Sequence, residues 1–450
     1  MPKRIVCGVV LGLFWIVSAV TPASAVEVER VVSPGGIEAW LVRDHSVPIT
    51  AIEFSFRGAG GAQDPAGKAG LAEMTSSVID EGAGDLDSQA FQGKAEELSV
   101  HIKFDAGMET FRGSLKTLNR HRDDAVELLR LALTEPRFDP EPVDRIRQQI
   151  IVGLQQQSTN PDVIASRVWR RAVFADHPYG RPVSGTVDSI AGITVADMKD
   201  FVSSRFARDE LVIGVVGDIA ADELGPMLDG IFGALPKTSR AIAVAETAIG
   251  SSGETFVIEM DNPQSVVVFG QAGVGRDDPD YYAAYVMNYV LGGGGFASRL
   301  YREVREKRGL AYSVYSYLNP TRRGAVISGG VATRNDQVAT SLSVIRDEWR
   351  RMYEDGPNAE ELANAKTFLN GSYPLRLSST GSIARMLVSM QYYDLGQDYI
   401  ERRQEFINAV TLADVKRAAK RILAPEKMTV VVVGKPQGIT PTSKAPEIKS

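Results

Sequence analysis

The chain repeats itself, and the repeat restricts the fold to two copies of one module. Thr194-Val195-Ala196-Asp197-Met198-Lys199 returns 217 residues later as Thr411-Leu412-Ala413-Asp414-Val415-Lys416. Val215-Val216-Gly217 returns at the same offset as Val432-Val433-Gly434, and Asp64-Pro65 pairs with Asp278-Pro279 at an offset of 214. Each hexapeptide offers a Thr as N-cap of an amphipathic helix, followed by an apolar strand that ends in Gly. Three features in one order at nearly constant spacing predict two homologous halves of about 200 residues each.

Within each half, strands and helices alternate as α+β layers do. Ile52, Phe54 and Phe56 alternate with Glu53, Ser55 and Arg57, which predicts a strand with one buried face. Leu71, Met74, Val78 and Ile79 mark a helix stopped by Gly82, and residues 125–133 and 143–154 read as further helices. In the second half, residues 265–269 read as a strand and 281–291 as a helix. Asn335 is placed to cap a long helix through Val338, Leu342, Ile345, Trp349 and Met352.

Residues 1–25 read as a leader to be set aside: Lys3 and Arg4, then an apolar run from Ile5 to Val20, then Ala23-Ser24-Ala25 as a cleavage site. The apolar run is shorter than a membrane-spanning helix requires, so no stable membrane insertion is expected after cleavage. Export is the expectation, to a bacterial periplasm. Cleavage also removes Cys7, the only cysteine, and with it disulfide and thiolate chemistry. The remaining 425 residues carry 48 basic and 56 acidic side chains with no block of like charge, which argues against a nucleic-acid partner.

Three stretches carry a family resemblance: Gly70-Leu71-Ala72, His177-Pro178-Tyr179-Gly180-Arg181-Pro182, and the run from Gly292 to Tyr317. Nearly the whole chain after the leader resembles a two-domain subunit of the M16 peptidases (pitrilysin, insulinase and processing peptidase). The resemblance implies a 26–240 domain, a 241–253 linker, a 254–436 domain and a polar 437–450 tail. It further implies two α+β domains of mainly antiparallel sheet packed with helices, facing each other around a peptide-binding chamber. Where the family carries His-x-x-Glu-His, this chain reads Glu73, Ser76 and Ser77. Zinc needs imidazoles four apart on one helical face and a carboxylate to activate water, and two hydroxyls with a displaced glutamate supply neither. The family's third ligand, a Glu on a later helix, falls near Val152-Gly153, and the four histidines (His45, His101, His121, His177) have no helical-face partners. No metal is expected in this chain.

The family's other constellation is intact. Arg305 and Tyr312 stand seven apart, on a helix read as 298–307 and at the start of a strand read as 312–317, with Gly309 breaking the chain between them. A guanidinium can hold a peptide carbonyl, and a phenol can donate to the oxyanion of a tetrahedral intermediate. Taken as residues alone, Arg305 sits in a charged cluster that reads equally as a solvated face. Gly292, Gly293, Gly294 and Gly295 lack a phosphate-loop lysine and resemble a substrate-contacting glycine loop, or else form a plain turn. The resemblance implies a zinc-free subunit that binds peptide and lends Arg305 and Tyr312 to a zinc-bearing M16 partner in a heterodimer. The alternative is a non-hydrolytic peptide-binding or scaffold homologue.

Overall fold

The structure, a computed structural model, describes residues 26–250 and 252–448. The leader and its cysteine lie outside the described residues. The first half builds a six-stranded sheet from β1 (Glu29–Val32), β2 (Glu38–Arg43), β3 (Ile49–Arg57), β4 (His101–Ala106), β5 (Thr110–Leu118) and β6 (Leu211–Gly217). Its strand order is β1-β2-β6-β3-β5-β4. The second half builds a five-stranded sheet from β7 (Thr255–Glu259), β8 (Gln264–Ala272), β9 (Ala311–Asn319), β10 (Val326–Arg334) and β11 (Thr429–Gly434), in the order β7-β11-β8-β10-β9. Without β1 the two orders match strand for strand. Each sheet has one parallel pair, β2 with β6 and β7 with β11, and is otherwise antiparallel.

The repeated sequences do the same work twice. Thr194 and Asp197 form a reciprocal capping box at the start of Val195–Arg205, and Thr411 and Asp414 form another at the start of Leu412–Ile422. Gly217 (φ +157°) and Gly434 (φ +150°) end the two strands where a Cβ would lie 2.3 Å from Ile49 O and from Ser265 Oγ. Asp64 accepts from the amides of Gly70 and Ala72 at the entry to Leu71–Val78, and buried Arg205 pairs with it at 3.1 Å. In the second half, Asp278 accepts from Arg421 and from the amide of Asp280.

The central strands β6 and β11 are apolar, apart from Thr429 at the start of β11, instead of alternating, because both of their faces are covered. One face meets helices of the same half. The other meets a helix of the opposite half. Pro161–Phe174, from the first half, lies across β8 and β11, and Thr380–Tyr392, from the second, lies across β3 and β6. Val168, Trp169 and Val173 pack with Val266, Val431 and Val433, while Ile383, Ala384 and Leu387 pack with Trp40, Val42 and Val216. Each exchanged helix also donates one side-chain N–H to a strand carbonyl beneath it: Trp169 to Thr429 at 3.2 Å and Gln391 to Ile213 at 2.7 Å. Glycines permit the close approach. A Cβ on Gly214 would sit 2.4 Å from Ala384 O, and one on Gly270 would sit 2.6 Å from the Trp169 ring.

The stretch after 240, expected as the linker, is hydrogen-bonded to both halves. Thr247 N donates to Arg323 O and Gly250 N to Val173 O, each at 2.8 Å, and Val244 and Ile249 pack beside Trp169's cluster. The tail is also tied down: Thr442 N donates to Thr255 O at 2.9 Å. The expected cap at Asn335 is not made. Its amide instead bridges Ser265 and the Asn262 carbonyl at the mouth of β8, and the helix Val338–Asp355 starts after a short 3-10 turn, with no side-chain cap.

Candidate functional site

Glu73, Ser76 and Ser77 lie on the Leu71–Val78 helix, which packs against Pro140–Gln157, the helix that carries Val152 and Gly153. The two helices that would carry the family's zinc ligands are therefore packed together. Both serine hydroxyls are turned inward along their own helix, each donating to the Glu73 carbonyl at 2.9 Å. The Glu73 carboxyl is half-buried; burial first, and then the Asp105 carboxylate, push its pKa up. Val152 is exposed, and a Cβ on Gly153 would meet nothing within 4 Å. Among the described residues no group of three or more His, Cys, Asp and Glu side chains is placed to hold a metal. Hydroxyls committed to backbone carbonyls and a lone raised-pKa carboxyl do not make a zinc donor set at these positions.

Arg305 and Tyr312 are brought together. The helix read at 298–307 is a π-helical segment, Tyr301–Glu306, with Lys307 N bonding back five residues to Arg302 O. Its charged cluster resolves into partners. Buried Glu303 takes Lys307 at 2.7 Å and Arg308 at 2.8 Å; burial alone would raise its pKa, but these cations outweigh it and hold the carboxyl at about 2. Arg299 forks onto Glu361 at 2.8 and 2.6 Å and anchors the segment to Ala359–Gly371. Arg305 joins no ion pair among the described residues. Its guanidinium lies over the Tyr312 ring at 4.3 Å and over the Tyr301 ring at 4.9 Å.

Tyr312 lies in β9 next to a register shift opposite Val331 to Thr333 and is 81% exposed. Phe296, also largely exposed, meets Tyr301 edge-on at 4.8 Å. Phe296, Tyr301, Arg305 and Tyr312 thus form one aromatic–guanidinium strip. Sequence reasoning missed Tyr301 and Phe296, although Tyr301 stands four residues before Arg305, the spacing of helical neighbours.

The glycines divide by position. Gly292 and Gly293 close a second π-helical turn, Tyr289–Gly293. A Cβ on Gly292 would sit 2.4 Å from Ser316 Oγ, one on Gly293 2.6 Å from Asn288, and one on Gly294 2.6 Å from Tyr289 O. Gly295 is exposed, has φ +54° and has open space around it. The run lets Tyr289–Gly293 nest under β9 and turns the chain toward Phe296.

Two matched sheets with exchanged helices thus carry a helix without zinc donors at one place and an exposed Arg/Tyr strip at another. Residues 192–369 match the sequence profile described as peptidase M16 inactive domain. A solved structure of a peptidase M16 inactive domain from Pseudomonas fluorescens superimposes with a TM-score of 0.85 at 29% identity, covering 93% of this chain and all of that one. A non-peptidase homologue, YmxG, of Helicobacter pylori is 29% identical over 354 residues, 78% of this chain and 81% of its own length. An uncharacterised zinc protease of Streptomyces coelicolor is 29% identical over 317 residues, 69% and 68% of the two chains. Residues 192–369 thus carry an M16 domain of the type described as inactive, and the chain is similar to M16 proteins over most of its length.

Proposed function

We propose that this protein is an exported, zinc-free M16 subunit that binds peptide and presents Arg305 and Tyr312 to a zinc-bearing M16 partner. The observation that carries the reading is the placement of those two side chains. An arginine with no counter-ion among the described residues, stacked on a tyrosine that is 81% exposed, has no structural work that accounts for it. A peptide carbonyl suits the guanidinium, and a developing oxyanion suits the phenol. The inner sheet faces are closed by the exchanged helices, so the peptide chamber is formed between this chain and the partner. The leader in the sequence supports a periplasmic location, and no helix among the described residues is long and apolar enough to cross a membrane.

The test is peptide hydrolysis by the mature chain alone and co-expressed with a His-x-x-Glu-His M16 homologue, with zinc measured on each. We expect no hydrolysis and no stoichiometric zinc from the chain alone, and activity from the pair. Tyr312→Phe should lower turnover of the pair by about 100-fold, the order seen on removing one oxyanion donor, without loosening assembly. Full activity of the mutant pair would sink the role. Peptide binding without any active pair would favour a non-hydrolytic role, for which the name of the Helicobacter pylori relative offers some support.

A further inference from the structure

A cavity of about 350 Å³ lies between the halves, away from Arg305. Three arginines line it from three elements: Arg112 on β5, Arg170 on Pro161–Phe174 and Arg385 on Thr380–Tyr392. Two carboxylates also face it, and both are engaged. Glu53 accepts from Arg385 at 2.9 Å. Glu109 accepts from the hydroxyls of Tyr179 and Tyr392 and from the amide of Arg322.

That leaves Arg170 without a counter-ion among the described residues, and Arg112 in no close ion pair there, its charge met only at longer range by the Glu53 carboxylate that Arg385 already holds. Arg112 Nε donates only to Thr110 Oγ1, at 3.3 Å. Arg170 gives Nε and Nη2 to one neutral oxygen, the Tyr179 carbonyl, at 3.2 and 3.0 Å, and burial pushes its pKa down. The Ser55 hydroxyl, 1% exposed on β3, lines the same space with no hydrogen-bond partner. One guanidinium without a counter-ion, a second at the exposed rim that shares a distant carboxylate, and a spare buried hydroxyl around one small cavity are donors suited to a carboxylate.

The way in is along β9. Asn319, at its end, and Thr321 line the cavity. Tyr315 and Tyr317, stacked at 6.1 Å and half-exposed, lie along the same edge strand between Tyr312 and that end. Edge strands accept extended peptides through their free backbone groups. We propose that the cavity binds the C-terminal carboxylate of an extended peptide running along β9, with Arg112 and Arg170 holding the two oxygens. The inference rests on the peptide-binding reading above and names the substrate class, peptides with a free C-terminus.

The experiment is fluorescence anisotropy on the full mature chain, with one labelled peptide prepared as the free acid and as the C-terminal amide. We expect the acid to bind at least about tenfold tighter, the scale of one lost charge-assisted pair. Arg112→Gln, at an exposed position, should erase that preference. Acetate should compete with the acid form, and inorganic phosphate should compete less well. Equal affinities for acid and amide, an Arg112→Gln protein that keeps the preference, or phosphate competing as well as acetate would each overturn the carboxylate site. If both peptides bind equally and Tyr312→Ala weakens both, only this inference fails. If neither binds, the peptide-binding reading falls with it.

Discussion

Trp169 belongs to the first half of the sequence, yet replacing it with alanine should weaken the second half of the molecule. Its indole is 3% exposed, lies on Gly270 of β8, and donates Nε1–H to Thr429 O of β11 at 3.2 Å. Truncating a buried tryptophan costs about 3–5 kcal/mol through lost transfer energy and the cavity left behind. The upper part of that range applies, because the Thr429 carbonyl also loses its donor, worth about 1 kcal/mol. Guanidinium unfolding followed by circular dichroism gives the total, and hydrogen exchange gives the location. Exchange should accelerate in β8 and β11 as well as in Pro161–Phe174, within a single unfolding transition. A loss below about 1 kcal/mol, or faster exchange confined to the helix, would refute the idea that the halves are mechanically one body.

Asp80, which makes no ion pair among the described residues, has its carboxyl pushed up to about 6 by burial first, with Glu81 adding to the rise. An acid whose folded pKa lies above its unfolded 3.8 penalises the fold at neutral pH, by at most about 3 kcal/mol, and the penalty fades as pH falls from 6 to 4. Asp80→Asn should therefore stabilise the protein at pH 7.5 and have little effect at pH 4, as read by urea midpoints. Gly292→Ala should destabilise by more than about 1 kcal/mol, because its Cβ meets Ser316 backbone and side chain, whereas Gly295→Asn should be tolerated at its left-handed, open position; thermal melts compare the two. Chelators should leave the melting temperature of the isolated chain unchanged within about 1 °C, since no metal contributes to its folding free energy.

The sequence announced the pairing of the halves because capping and strand ends are local. Thr194 with Asp197, Thr411 with Asp414, and the glycines at 217 and 434 act within a few residues of themselves, so their repetition survives as matching text. The loss of the zinc donors was legible through the family resemblance, which sets Glu73, Ser76 and Ser77 where the His-x-x-Glu-His motif would stand. Helix exchange was not. The apolar stripe of Pro161–Phe174 states that a sheet lies opposite and not which one, and only the unbroken apolar run Val430-Val431-Val432-Val433 hinted that β11 is covered twice. The Arg305 cluster was ambiguous for a related reason: its charges look alike until Glu303 and Glu361 claim their partners and leave one guanidinium over. Asn335 misled because a residue suited to capping a helix is equally suited to tying down a strand.

The crossed helices also change what a break in the chain would do. Were the backbone severed between residues 241 and 250, each fragment would keep a helix whose seat is on the other fragment, and each would bare the sheet face that the other had covered. Trp169, Val168 and Val173 on one piece, and Ile383, Ala384 and Leu387 on the other, act as mutual plugs. The cut protein would behave as a tightly held two-chain complex, its parts recoverable as folded species only when made together. Covalent continuity at the joint is thus dispensable to the architecture, and the joint is where a reporter or an affinity handle could be inserted without parting the halves.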